Sequence, residues 1–434
     1  MVPGKNTFCN TPWYEAHIYW DGSLGICCQE SRRLYSEDQQ YNISDITLAD
    51  WFNSAPVRKF RSDVMASGTD ICSRCYHEEH LNGTSRRIKA NQKSVIFTKT
   101  AFADSYQQSP GYDHFLYSSN NQGHTETYPI DLHIDLGNHC NLACKMCWSG
   151  ASTAIASQYV KWGYDDHKKY LGQDWTRDEV VWNRFLNELL TIPKLKNIHL
   201  MGGETMLSPR FEQLVDFMIA HQRFDLCFSF VTNGTRFNQR LVDKLKNFTR
   251  VGIEVSIETA TEHNDYIRQG TDTQAVLKNI DQYLANACDS VSVTLRPAIS
   301  LLSVGYYDTL LEYCWQKKLL IKSLIVTTPD YLNPAILPLN IKTAYLKKYQ
   351  TLLEKLPAVD ITTDYNESDQ RNFLQSVKSQ IVQTISLLES PEPADSVERL
   401  TMLTKICTDW DKVYGFDARE LYPEFQDIWN CHGH

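Results

Sequence analysis

Long apolar runs are missing from this chain. No stretch approaches the roughly 18 consecutive apolar residues of a membrane-spanning helix, and the opening Met1-Val-Pro-Gly-Lys-Asn has no apolar core of the secretory kind. Neither a membrane-embedded nor an exported protein is therefore expected. Positive charge is short as well: 43 Lys and Arg stand against 52 Asp and Glu, a net charge of −9, which argues against a general nucleic-acid surface. Cysteine, in contrast, is plentiful. Thirteen in 434 residues, an odd number without secretory context, favours metal ligation in a reducing cytoplasm over a disulfide framework. With 42% apolar and 22% charged residues, the chain has the make-up of a globular protein long enough for two or three domains.

The cysteines fall into two sets. In the stretch from Asp131 to Trp148, Leu132, Ile134 and Leu136 alternate with polar residues, the period of a half-buried strand. Gly137-Asn138 then breaks the pattern, and Cys140, Cys144 and Cys147 follow with C-x3-C-x2-C spacing. A structural zinc site wants four ligands, whereas three thiolates on a cubane leave one iron open. The stretch resembles the signature of the radical S-adenosylmethionine (radical SAM) enzymes, C-x3-C-x-Φ-C, with Met146 in the Φ slot. That resemblance implies a [4Fe-4S] cluster on Cys140, Cys144 and Cys147, its fourth iron chelated by S-adenosylmethionine. A zinc-binding or redox-inert cysteine loop is the alternative.

The second set lies upstream. Cys9 precedes an aromatic stretch, Pro12 to Trp20, then the turn signal Asp21-Gly22, then Cys27-Cys28. A helical pattern from Ser44 to Ser54, carrying Ile46, Leu48, Trp51 and Phe52, leads through Arg58 and Arg61 to Cys72-Ser-Arg-Cys75. The order resembles the SPASM/twitch modules that hold auxiliary clusters in many radical SAM enzymes, although those modules normally follow the barrel. The resemblance implies one auxiliary iron–sulfur cluster on Cys9, Cys27, Cys72 and Cys75, with Cys28 able to replace Cys27. An all-cysteine zinc ribbon stays open. Beyond it, Asn82-Gly83 and Arg86-Arg87 to Lys93 read as a solvated face, or as a grip on a substrate carboxylate or phosphate. Residues Lys99 to Tyr128 read as a connector or a loop over a barrel mouth.

Downstream, strands alternate with helices. Thr176-Arg-Asp-Glu179 reads as a capping box opening an amphipathic helix, and the strand Lys196 to Met201 ends in Gly202-Gly203-Glu204. The helix Phe211 to Ala220, the strand Cys227 to Val231 and the turn Thr232-Asn-Gly-Thr235 repeat the unit. Gly252 to Ile257 is the next strand, followed by Glu258, the turn Asn264 to Gly270 and the helix Thr273 to Leu284. Ser290 to Leu295 and Ser323 to Thr327 are further strands, flanking a helix from Tyr306 to Gln316. About six βα units imply parallel pairing. The expected fold is α/β: a partial (β/α)6 barrel of radical SAM type, with a small N-terminal α+β twitch-like module and a C-terminal helical region. The expected boundaries are 1–98, 99–128, 129–330 and 331–434. The resemblance assigns Gly202, Gly203 and Glu204 to the amino group of S-adenosylmethionine, and Ser256, Glu258 and Arg268 to its ribose. A salt bridge from Arg268 to Asp265 or Glu262 is the alternative. In the C-terminal part, Cys407 and Cys431 stand isolated, and His432 and His434 are expected in solvent.

By resemblance, such an enzyme reductively cleaves S-adenosylmethionine to a 5′-deoxyadenosyl radical that abstracts a substrate hydrogen atom. The auxiliary cluster would take an electron from the substrate radical or hold the substrate. The first expectation is oxidative modification or crosslinking of a peptide, with a flavodoxin or ferredoxin as electron donor. Oxidation or rearrangement of a small sugar or cyclitol is the alternative, and a non-catalytic zinc or redox metal-binding protein is the reading from another class.

Overall fold

The computed structural model describes residues 7–30, 35–36, 39–82, 85–92, 112–192, 194–358 and 372–430. Gly83, Lys93, the first part of the expected connector, Cys431, His432 and His434 lie outside them. In chain order the strands are β1 (Glu15–Ile18), β2 (Leu24–Gly25), β3 (Tyr35–Ser36), β4 (Gln39–Gln40), β5 (Asp131–Asp135), β6 (Ala143–Cys144) and β7 (Asn197–Met201). They continue with β8 (Cys227–Thr232), β9 (Arg250–Val255), β10 (Arg268–Gln269), β11 (Val291–Leu295), β12 (Ala298–Ile299), β13 (Leu320–Ile321) and β14 (Leu324–Ile325). Two compact units share them: Met1–His139, Lys169–Ser229 and Asn247–Thr249 form the first, and Cys140–Lys168, Phe230–Lys246 and Arg250–His434 the second.

In the first unit β1 turns back on β2 as an antiparallel hairpin, as Asp21-Gly22 suggested, and pairs in parallel with β5, Glu15 opposite Asp131. The N-terminal hairpin therefore extends the same sheet as the later strands. β5 pairs in parallel with β7 in turn. Alternation sorts the two faces. Leu132, Ile134, Ile198 and Leu200 are all fully buried, each contributing about 1.5–3 kcal/mol of burial. The helices Glu179–Thr191 and Pro209–Ala220 bury Trp182, Phe185, Leu189, Leu214 and Met218. The opposite face carries His17, His133 and His199 in register across three neighbouring strands.

In the second unit β9, β11 and β13 are parallel neighbours. The helix Thr273–Ala285 buries Val276, Ile280 and Tyr283. The long helices Leu339–Lys355, Phe373–Glu389 and Ser396–Tyr414 make up the C-terminal helical region. No helix among the described residues is long and apolar enough to cross a membrane.

Local expectations needed correction at several points. The strand expected over Ser323 to Thr327 is displaced: Leu320–Ile321 joins the sheet, and Leu324–Ile325 pairs separately with β12. Short apolar runs on either side of Lys322-Ser323 satisfy the same alternation, so periodicity alone could not choose. Thr176 caps nothing; Asp178 caps the helix Glu179–Thr191 by accepting from the amides of Val180 and Val181, and Asp174 caps the turn before it. The helix placed at Ser44 to Ser54 is shorter, Leu48–Phe52, capped by Thr47.

The Tyr-, Ser- and Asn-rich connector is in part the helix Tyr112–Asn120. Its Phe115 is fully buried, with ring centroids 5.1 Å from Trp13, 5.2 Å from Phe8 and 6.4 Å from Tyr14. The segment thus completes the N-terminal core. Phe115→Ala is expected to cost about 3–5 kcal/mol, read as a lowered denaturant midpoint of the first unit. An unchanged midpoint would return the segment to the status of a loose connector.

Candidate functional site

The upstream cysteines converge within the first unit. Cys9, Cys27, Cys72 and Cys75 all line one cavity, together with Ile26, Phe60, Ile71, Arg86 and Arg87; Cys28 is not among its lining residues. The β1–β2 hairpin returns the chain so that Cys27, just past β2, meets Cys9. Cys72 closes a short turn capped by Thr69, and Cys75 sits in the first turn of the helix Ser73–Asn82. The C-x2-C pair thus spans a turn-to-helix junction.

The arginine pair read as a solvated face is instead built into this cavity. Arg87 donates to both Glu79 oxygens, at 2.8 and 2.6 Å, and to the Phe8 carbonyl at 2.8 Å, fixing the residue before Cys9. Asn91 donates to the same carbonyl at 2.8 Å and accepts from the Asn10 amide at 3.0 Å. Arg86 reaches Glu15 Oε2 at 2.5 Å and His133 Nε2 at 3.2 Å. Arg87 finds its carboxylate 8 residues away, but Glu15, on β1, is 71 residues from Arg86, so no local pattern around Arg86 could reveal its partner.

Burial pushes the Cys9 thiol up to about 11 and raises Cys27, Cys72 and Cys75 as well. Buried thiols become thiolates when cations replace their protons. Four such thiols beside the buried Arg87 and half-buried Arg86 guanidinium groups suit an anionic iron–sulfur cluster. Each thiolate of a cluster binds its own iron. Among the described residues no three His, Cys, Asp or Glu side chains are grouped around one metal-ion position.

Also in the first unit, β7 ends in the glycine pair. Gly202 and Gly203 take positive φ, +82° and +52°, and a Cβ on Gly203 would lie 2.2 Å from the His139 carbonyl oxygen. Only glycine fits there. Glu204 is buried, donates its amide to His139 O at 2.8 Å and caps the next turn through Met206 N at 3.0 Å.

The second set lies in the second unit. Cys144 is held by a two-residue antiparallel pairing, Arg268 opposite Cys144 and Gln269 opposite Ala143. The Arg268 guanidinium binds Glu258 through Nε and through Nη2 at 2.8 Å, and its Nη1 lies 3.6 Å from Cys144 Sγ. The Ala298 amide donates to Glu258 Oε1 at 3.3 Å. Asp265 instead caps Thr273, at 2.8 Å from its amide, so the expected alternative of an Arg268–Asp265 or Arg268–Glu262 bridge is replaced by Arg268–Glu258. Asn233, in the Thr232-Asn-Gly-Thr turn, donates to Asn141 Oδ1 at 2.9 Å and lies 3.9 Å from Cys140 Sγ. Burial pushes the Cys147 thiol up to about 11 and raises Cys144, which the Arg268 charge opposes. Met146 and Ser256 are half-buried. These three thiols, beside a fixed guanidinium, have the donor chemistry of a three-cysteine cluster site.

Two family models match. Residues 134–298 match the Radical SAM superfamily and residues 9–76 match SPASM, an iron-sulfur cluster-binding domain. The chain thus carries a radical SAM domain with a SPASM domain ahead of it. The matched domains imply [4Fe-4S] clusters and S-adenosylmethionine as cofactors. Mycofactocin maturase MftC of Mycobacterium tuberculosis is 30% identical over 181 residues, 42% of this chain and 40% of that protein. The Mycobacterium ulcerans protein of the same name is 30% identical over 141 residues, 32% of each. The chain thus spans under half the length of these relatives. Among solved structures, native anSMEcpe with bound AdoMet gives a TM-score of 0.39 at 18% identity, over 52% of this chain and 61% of that one. Streptococcus suis SuiB bound to precursor peptide SuiA gives 0.37 at 14% identity, over 73% and 67%.

Arg268→Met leaves the Glu258 carboxylate buried without its cation and is expected to cost about 3–5 kcal/mol. Adding Glu258→Gln is expected to recover part of that loss, a non-additivity read from a double-mutant cycle. A single variant within about 1 kcal/mol of wild type would mean the pair does not hold this site.

Proposed function

We propose that the chain is a radical SAM enzyme that oxidatively modifies a peptide, with one cluster on Cys140, Cys144 and Cys147 and an auxiliary cluster on Cys9, Cys27, Cys72 and Cys75. The observation that carries this reading is the presence of two separate cysteine sets, each of buried or half-buried thiols beside a fixed guanidinium. When bound, the cluster and S-adenosylmethionine supply one-electron cleavage chemistry capable of removing a hydrogen atom from an unactivated carbon.

The chain's own residues hold and orient. Arg268 stabilises the Cys144 thiolate by a charge-assisted hydrogen bond. Glu258, engaged by Arg268 and the Ala298 amide, fixes that guanidinium. Ser256, at the C-terminal end of β9, retains a hydroxyl for the ribose. Gly202 and Gly203 let the backbone approach closely, and Glu204 receives the amino group of S-adenosylmethionine. Asn233 steadies the loop between Cys140 and Cys144. Arg86 and Arg87 offset the negative charge that four thiolates bring to the auxiliary cavity. A peptide substrate is favoured because the curated relatives are mycofactocin maturases. A flavodoxin or ferredoxin would supply the electron.

The test is anaerobic reconstitution with iron and sulfide, beside a variant with Cys140, Cys144 and Cys147 changed to Ala. Wild type is expected to bind about eight irons and the variant about four, and only wild type should release 5′-deoxyadenosine under reductant. Zinc in both sites, or iron without cleavage of S-adenosylmethionine, would overturn the proposal.

A further inference from the structure

Between Cys144 and Met146 sits a lysine whose surroundings the proposed chemistry does not use. Lys145 is only 6% exposed, and its Nζ has no hydrogen-bond partner among the described residues. It lies 3.9 Å from the centroid of the Tyr266 ring, 4.1 Å from that of Trp410 and 5.9 Å from that of Tyr414. A buried ammonium group is unfavourable unless something replaces its water. Ring faces do so, because their quadrupole presents negative charge to the cation.

Two elements build this cage. The Arg268–Cys144 register brings the Lys145 amide to the Ile267 carbonyl at 2.9 Å, which sets Lys145 beside Tyr266. Tyr266 is itself fully buried, edge-on to Phe416 at 5.5 Å and to Tyr422 at 5.8 Å. The other wall comes from the helix Ser396–Tyr414, on which Cys407, Trp410, Asp411 and Tyr414 follow the i, i+3, i+4, i+7 spacing of one face. A methionine or leucine at position 145 would fill the same space with no charge to desolvate, so packing alone does not account for a lysine.

We propose that Lys145 is a positioning residue that fastens the cysteine loop to the C-terminal helix Ser396–Tyr414 through a cation–π cage. The loop is thereby held from both sides: β10 grips it through Cys144 and Ala143, and the helix grips it through the next residue. The proposal rests on the reading of Cys140, Cys144 and Cys147 as cluster ligands for its purpose, and its structural half stands without it.

The experiment uses the full chain as wild type, Lys145→Met, Lys145→Arg and Trp410→Leu. Hydrogen exchange is followed on the unloaded protein, and the electron paramagnetic resonance spectrum on the reduced, reconstituted protein. Lys145→Met and Trp410→Leu are expected to speed amide exchange across residues 141–147 roughly tenfold, the scale of one desolvated cation–π contact, and to shift or broaden the signal of the three-cysteine cluster. Lys145→Arg, which keeps the charge, is expected to stay close to wild type in both. Wild-type exchange and an unaltered spectrum in Lys145→Met would overturn the clamp, as would a Trp410→Leu variant that loosens only its own helix. Failure of wild type to take up a cluster on these cysteines would defeat the proposed function instead, while the exchange comparison would still decide the clamp.

Discussion

Arg268 is the group on which the second unit's cysteine loop depends. A carboxylate as completely buried as Glu258 is tolerated only when a cation and good hydrogen bonds replace its water. Arg268 supplies two of those bonds and the Ala298 amide a third. The guanidinium is thereby fixed, and its remaining arm ends at Cys144 Sγ. β6 is only two residues long, too short to hold a geometry unaided. Its pairing with β10 holds the middle thiol opposite Arg268, and the aromatic cage around Lys145 secures the residue after it.

The first unit solves a related problem by the same means. Four thiols in one cavity would repel as thiolates and resist ionisation as buried groups, and Arg86 and Arg87 line that cavity while bound to Glu15 and Glu79. Each arginine does two things. It supplies positive charge beside the sulfurs, and it fastens chain segments distant in sequence: Arg87 holds the backbone at Phe8, and Arg86 joins β1 to His133 on β5. The short helix Arg86–Gln92 therefore belongs to the cysteine site as much as the cysteines do.

The parts of this arrangement that were legible in the sequence are those set by neighbouring residues. The alternation of Leu132, Ile134 and Leu136 marked β5; the C-x3-C-x2-C spacing marked the loop; Asp21-Gly22 marked the hairpin; the glycines at 202 and 203 marked a close backbone approach. What escaped notice depends on residues far apart. The Arg86 partner Glu15 is 71 residues away, so an exposed basic pair was the natural reading. Lys145 looks like a loop lysine until Trp410 and Tyr414 are brought to it. Tyr112–Asn120 was hidden by polar composition, because its anchor is the single ring of Phe115 set among the aromatic side chains of the N-terminus. The strand at Leu320–Ile321 was displaced by a few residues because the apolar pairs at 320–321 and 324–325 compete for one pattern.

We propose that the two cysteine sets hold two clusters of different kind, one fully ligated by protein and one with an iron open to S-adenosylmethionine. The most direct measurement is the electron paramagnetic resonance spectrum of the reduced, reconstituted protein as S-adenosylmethionine is added. Two overlapping signals are expected, of which only the one lost in the Cys140, Cys144 and Cys147 triple variant changes on addition. Two signals that both respond, or a spectrum indifferent to S-adenosylmethionine, would contradict it.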